Sequence, residues 1–128
     1  MRVIAHLLPN YNPFPPIYPA GTELRVAEVS RRQQRYHPVV ICGGFRGQSE
    51  RELDGSMEIQ RIHIGRAYRR LFQKITRLDP WPYGRRMWQR VVTAKADLLH
   101  IHNEPKLLAM LAPFLSRNRL PVVMHIAN

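Results

Sequence analysis

Short apolar runs alternate along the chain with stretches whose apolar positions recur at helical spacing. Val3-Ile4-Ala5-His6-Leu7-Leu8 is almost wholly apolar and closes at Pro9-Asn10, which predicts a buried strand over 2–8. Pro38-Val39-Val40-Ile41-Cys42 predicts a second, stopped by Gly43-Gly44. Glu58–Ile64 alternates polar with apolar, the mark of a half-buried strand near a sheet edge. Asp97–His102 and Pro121–Ala127 read as two further strands. Helical spacing appears over 22–36 (Leu24, Val26, Ala27, Val29) and 66–78 (Ala67, Tyr68, Leu71, Phe72, Ile75, Leu78). It recurs over about 84–96 and over 104–115, where Glu104-Pro105 forms the first turn.

Between these elements the breakers are plain. Residues 9–20 hold Pro9, Pro13, Pro15, Pro16 and Pro19, a density that no helix or central strand tolerates. A loop of that length is usually functional or mobile. Residues 45–57 are polar and glycine-bearing and read as a loop; Asp79–Gly84 breaks the helix over 66–78. The order β-α-β-β-α-α-β-α-β implies a single α/β domain over 1–128 with a doubly wound, mostly parallel sheet. In such a sheet a ligand sits at the carboxyl ends of the strands, where strand order reverses. That edge would gather Pro9–Gly21, Gly43-Gly44, His102-Asn103 and His125.

Composition narrows the picture. A 128-residue chain with 45% hydrophobic residues supports one domain with one core. No apolar run is long enough to span a bilayer, and Met1-Arg2 leads directly into a strand without a signal peptide. The lone Cys42 cannot form an internal disulfide, which suits a reducing cytosol. Lys+Arg 20 against Asp+Glu 9 gives a net charge of +11, a field that attracts polyanions or anionic lipid. Between Arg61 and Lys95 ten residues are basic and only Asp79 is acidic.

The turn Pro19-Ala20-Gly21-Thr22-Glu23 joins the first strand to a basic helix. Its backbone amides and the positive helix end favour phosphate or sugar oxygens, and Gly21 lets a ligand approach where a β-carbon would block it. A plain strand-to-helix turn would need glycine for the same steric reason. Thr22 can cap the helix, and Glu23 sits in its first turn. A dinucleotide fingerprint needs three spaced glycines, and only Gly21 is present. His100 and His102 lie two apart on a strand and share one face, as zinc ligands would. No third ligand stands at a telling spacing, so no metal is expected.

Four segments, in order and spacing, resemble the N-terminal half of a family 4 glycosyltransferase of the GT-B fold. They are Arg2–Leu8 with its proline-aromatic loop, Ala20-Gly21-Thr22-Glu23-Leu24-Arg25, Asp97-Leu98-Leu99-His100-Ile101-His102-Asn103-Glu104-Pro105, and Pro121-Val122-Val123-Met124-His125. The second is close to the family's Gly-Gly-x-Glu-Arg pattern, with Ala20 in place of its first glycine. The third is close to its Asp-hydrophobic-hydrophobic-His-x-His-x-x-Pro segment.

The resemblance implies a Rossmann-like, acceptor-side domain of a retaining enzyme. Such an enzyme moves a sugar from a nucleotide-sugar donor to a glycan or lipid-linked acceptor, in surface polysaccharide or glycolipid synthesis. The family's donor domain, with its two glutamates seven residues apart, has no counterpart in these residues, so the fragment alone is expected to be inactive. By resemblance Gly21 is the glycine nearest the donor phosphate, and His125 is the reacting-centre histidine that hydrogen-bonds the transferred sugar. A strand-end histidine satisfied by backbone is the plainer alternative for His125. His102 and Asn103 are placed at the cleft rim with Gly21 and Thr22, and His100 within packing. No cofactor or metal is implied, because helix dipoles and basic side chains stabilise the leaving diphosphate in this fold.

The basic region has its own readings. Arg66, Arg69, Arg70, Lys74, Arg77, Trp81, Arg85 and Arg86 form either a solvated face over a packed core or a docking surface for anionic membrane. The second suits a cytoplasmic enzyme peripheral on the inner face of the plasma membrane. A stand-alone basic module binding membrane or nucleic acid is the rival function; no nucleic-acid module's aromatic pattern is present, which disfavours the latter. A chain ending at Asn128 would expose its last strand, which invites homo-oligomers.

Overall fold

The computed structural model describes residues 2–9, 14–15, 21–63, 81–102 and 104–126, with backbone alone at 21–22 and 81–82. The apolar runs pair as strands β1 (Arg2–Leu7), β2 (Tyr36–Gly43), β4 (Met57–Ile62), β5 (Leu98–His102) and β6 (Val122–His125), all parallel. A further strand, β3 (Arg51–Asp54), runs antiparallel to β4. The helices are α1 (Gly21–Arg32), α2 (Trp81–Thr93) and α3 (Pro105–Leu115). The six strands lie in the order β3-β4-β2-β1-β5-β6. The chain steps outward from β1 through β2 to β4, then crosses back to β5 on the other side of β1. The switch point is therefore the β1/β5 pair, as the doubly wound reading requires.

Strand alternation sends successive side chains to opposite faces, and each face has its own core. Ala5, Leu7, Val39, Ile41, Leu99 and Ile101 pack against Tyr83, Met87 and Val91 of α2 and against Leu107 and Leu111 of α3. Trp88 of α2 stacks on Phe114 of α3 with ring centroids 5.6 Å apart. On the other face Leu8, Val40, Cys42, Met57 and Ile59 pack against Val26 and Ala27 of α1 and against Phe14. Among the described residues no helix is long and apolar enough to cross a membrane.

Several sequence expectations need correction. The segment 45–57 is not all loop. Arg51-Glu52-Leu53-Asp54 forms edge strand β3, joined to β4 by a tight turn in which Gly55 takes φ +65. Its polar residues suit an edge open to water and lack the alternation that marks a half-buried strand. β4 does lie near the edge, next to β3, but it is not half-buried: all its residues but Glu58 are buried. Helix α1 starts at Gly21 and ends at Arg32, so Thr22 falls within the first turn rather than capping it. Helix α2 begins at Trp81, three residues before the expected start. The helix expected over 66–78 lies outside the described residues.

Arg61 also departs from its expected place. Counted with the basic region, it proves to be fully buried at 2% exposure. Its guanidinium donates to the Phe14 carbonyl, to the Ser49 carbonyl and to Glu52 Oε1. It is a clamp between sheet and loop, with no free charge to present to a polyanion.

Candidate functional site

The carboxyl end of the switch point is built from histidines. Residue 6 on β1 pairs in register with His100 on β5, and His102 pairs with His125 on β6. Alternation puts all four on the face that α1 covers farther along the sheet. The imidazoles form a ladder: centroids are 5.1 Å apart for His6 and His102, 3.9 Å for His100 and His102, and 6.3 Å for His100 and His125.

Hydrogen bonds fix the tautomers of the inner pair. Gln33 Oε1 can only accept, so His6 Nε2–H donates to it at 2.9 Å. The Nδ1 of His6 then keeps its lone pair and accepts from His102 Nε2–H at 2.9 Å. That leaves His102 Nδ1 as a buried acceptor without a partner, and His100 Nε2 is likewise buried and unpartnered among the described residues.

Burial holds these rings neutral. It pushes His6 down to about 4, partly opposed by the Gln33 hydrogen bond and aided by His100. It pushes His102 down to about 2, with the neighbouring His100, His6, Arg25 and His125 adding to the effect. His100 is lowered by burial and then by His125 and Arg25. Arg25 sits one turn into α1, and its Nε and one Nη nitrogen are buried with no partner among the described residues.

The expected site residues fall into place unevenly. His102 is buried, at 2% exposure, and His100 is half-buried, the reverse of the rim-and-packing assignment. β5 ends at His102 with β1 on one side and β6 on the other, so its last ring is walled in. His125 is exposed at the end of the edge strand β6. Gly21 opens α1, and Asn103 lies outside the described residues. Glu104 caps α3, accepting from the Lys106 amide at 3.1 Å, as a helix start should.

Of the basic set, Arg66, Arg69, Arg70, Lys74 and Arg77 and the side chain of Trp81 lie outside the described residues. Arg85 and Arg86 are exposed on α2, and Arg86 donates to the His63 carbonyl at 2.9 Å. An open cleft of about 470 Å³ lies there, walled by Ile62, His63, Arg86, Gln89 and Arg90 among others. It includes neither Gly21 nor His125.

Sequence reasoning missed His6. The zinc reading of His100 and His102 is set aside above for want of a third ligand, and β1 supplies one across the sheet. The signal was a histidine inside an otherwise apolar strand; what it faces depends on which strand lies beside it.

A family model, Glycosyltransferase Family 4, matches residues 19–126. The chain belongs to glycosyltransferase family 4. A lipopolysaccharide 1,2-N-acetylglucosaminetransferase from Salmonella typhimurium is 29% identical over 133 residues, covering 99% of this chain and 33% of its own length. The chain thus spans about a third of the length of that relative. No solved structure matches it.

Proposed function

We propose that this chain is the acceptor-side, Rossmann-like domain of a retaining GT-B glycosyltransferase. The enzyme would transfer a sugar from a nucleotide-sugar donor to a glycan or lipid-linked acceptor in surface polysaccharide or glycolipid synthesis. The relative's name makes N-acetylglucosamine the sugar to test first and a lipopolysaccharide oligosaccharide the acceptor. The observation that carries the reading is the polar ladder at the β1/β5 switch point, where a doubly wound sheet binds its ligand.

In this reading His125 hydrogen-bonds the transferred sugar. It is exposed at the carboxyl edge, and a neutral imidazole can donate to or accept from a hydroxyl. Gly21 and Thr22 open α1, whose positive end favours donor phosphate, and His102 and Asn103 shape the wall. No resident cofactor is needed. The exposed Arg85 and Arg86 support docking at an anionic membrane surface, with the other basic residues of that stretch. The edge strand β6 exposes Val123 (48%) and the following Ile126 (65%), which supports self-association.

The test uses the 128-residue chain. Titrated with a lipopolysaccharide-derived core oligosaccharide, it should show saturable shifts of the His125 imidazole resonances. His125→Ala should weaken binding at least tenfold while leaving the fold unchanged by circular dichroism. With UDP-N-acetylglucosamine and the same acceptor the chain alone should give no transfer. Absence of saccharide binding, or turnover by this chain alone, would overturn the assignment.

A further inference from the structure

We propose that His6, His100 and His102 form a zinc site whose fourth position is open to an anionic ligand. One ring nitrogen from each histidine lies within 4.8 Å of the other two. Tetrahedral zinc holds imidazole nitrogens at about 2.0–2.1 Å, which sets them roughly 3.3 Å from one another. Small ring movements close that difference. All three residues stand on paired strands, and His6 and His100 are directly in register, so their backbones are already fixed.

The surroundings are those of a ligand set. Metal-binding histidine almost always donates its far N–H to a carbonyl or carboxylate, which orients the ring and raises its basicity. His6 does so: Nε2–H is held by Gln33 Oε1, and Nδ1 is left with its lone pair facing His102. An ion between the two rings would replace the proton they now share. His102 would carry that proton on Nδ1, which has no partner among the described residues. The exchange is a tautomer shift and needs no proton from outside. The third ring, His100, contributes Nε2, which is also buried and has no partner among the described residues. Buried polar atoms are normally paired, and an ion is one partner that would serve His100 Nε2. Three neutral imidazoles suit zinc and exclude magnesium and calcium, which want oxygen.

Arg25 decides the fourth ligand. Its charge acts on both His100 and His102, and its inner nitrogens lack partners among the described residues. That charge opposes a bare cation and favours an ion carrying hydroxide, carboxylate or phosphate oxygen, which the guanidinium can also bind. The site stands whether or not the domain binds a saccharide.

The experiment starts from chain stripped with a chelator and titrated with zinc by calorimetry, then with cobalt for its visible spectrum. One ion per chain is expected, with cobalt bands of a four-coordinate site of three nitrogens and one oxygen, and a raised unfolding temperature. His100→Ala, at the half-buried mouth of the cluster, should weaken binding at least a hundredfold. Gln33→Leu should weaken it about 10- to 100-fold with the stoichiometry unchanged. A His37→Ala, His63→Ala double variant should bind as the parent does. If His100→Ala fails to fold, His100→Gln and the parent cobalt spectrum carry the same test. No saturable binding, which is what a water-filled cluster would give, overturns the proposal. So does binding that His100→Ala leaves unchanged, or that the double variant loses.

Discussion

Arg61 in β4 donates two hydrogen bonds to the carbonyl of Phe14, at 2.8 and 3.2 Å, and so fixes a residue of the loop that follows β1. Phe14 is itself fully buried against Val26 and Val40, so the clamp holds an apolar plug between α1 and the sheet. The charge is balanced by Glu52 at 2.9 Å, whose own side chain is 45% exposed. Replacing Arg61 by Ala strands the Phe14 carbonyl and opens a cavity. We expect a loss of about 3–5 kcal/mol in chemical denaturation. Glu52→Gln keeps an acceptor near solvent and should cost about 1 kcal/mol or less. Equal losses in the two variants would mean that the ion pair, rather than the carbonyl clamp, is what holds the loop.

The buried histidines tie stability to pH. His6 is held down at about 4 against 6.5 in the unfolded chain. Below pH 6.5 the unfolded chain takes up a proton there that the folded chain refuses, so stability falls as pH drops from about 6.5 to 4. Those two and a half units correspond to roughly 3 kcal/mol for His6. His102, at about 2, extends the fall further. Denaturation of chelator-treated chain at pH 7.5, 5.5 and 4.5 should show this decline, and His6→Gln should make it shallower by the His6 share, with His100 and His102 still contributing. An equally steep decline in His6→Gln would locate the titrating group elsewhere.

The fold was largely legible because buried parallel strands announce themselves as apolar runs, as Val39–Cys42 and Leu98–Ile101 do. β3 was not, since Arg51–Asp54 earns its place by backbone pairing at an edge rather than by burial. The Asp54-Gly55 pair before Met57 was the available hint. At the site, His102 and His125 could be placed on strand ends by pattern alone. Which histidines touch is a matter of register across strands far apart in sequence, and that brought His6 to His102 over 96 positions. Arg61 misled because charge counts carry no depth: a buried, fully bonded guanidinium reads like a surface one.

Cys42 offers a probe of opening rather than of chemistry. Burial pushes its thiol up to about 12, opposed by the Arg61 charge, so almost no thiolate exists near neutral pH. It is fully buried on β2 against the α1 face, and its Sγ contacts the Gln60 carbonyl at 3.8 Å. Iodoacetamide at pH 8 should therefore label native chain far more slowly than denatured chain. Labelling should accelerate in Arg61→Ala, whose clamp guards the same core. Rapid labelling of the parent would contradict the burial.

Helix α2 ends in a pair of bonds that calls for glycine and finds lysine. The Ala96 amide donates to the Val91 carbonyl at 3.3 Å, and the Lys95 amide to the Val92 carbonyl at 3.0 Å. This is the Schellman pattern, and its turning residue takes the left-handed conformation, with Lys95 at φ 55. A side chain there costs roughly 1–2 kcal/mol, part of which glycine gives back through its freer unfolded state. Lys95→Gly should therefore raise stability by about 0.5–1 kcal/mol, read as a higher denaturant midpoint with unchanged slope. Lys95→Ala, which keeps the β-carbon, should gain nothing. A gain in the alanine variant would show that the lysine charge, not the backbone, is what burdens this turn.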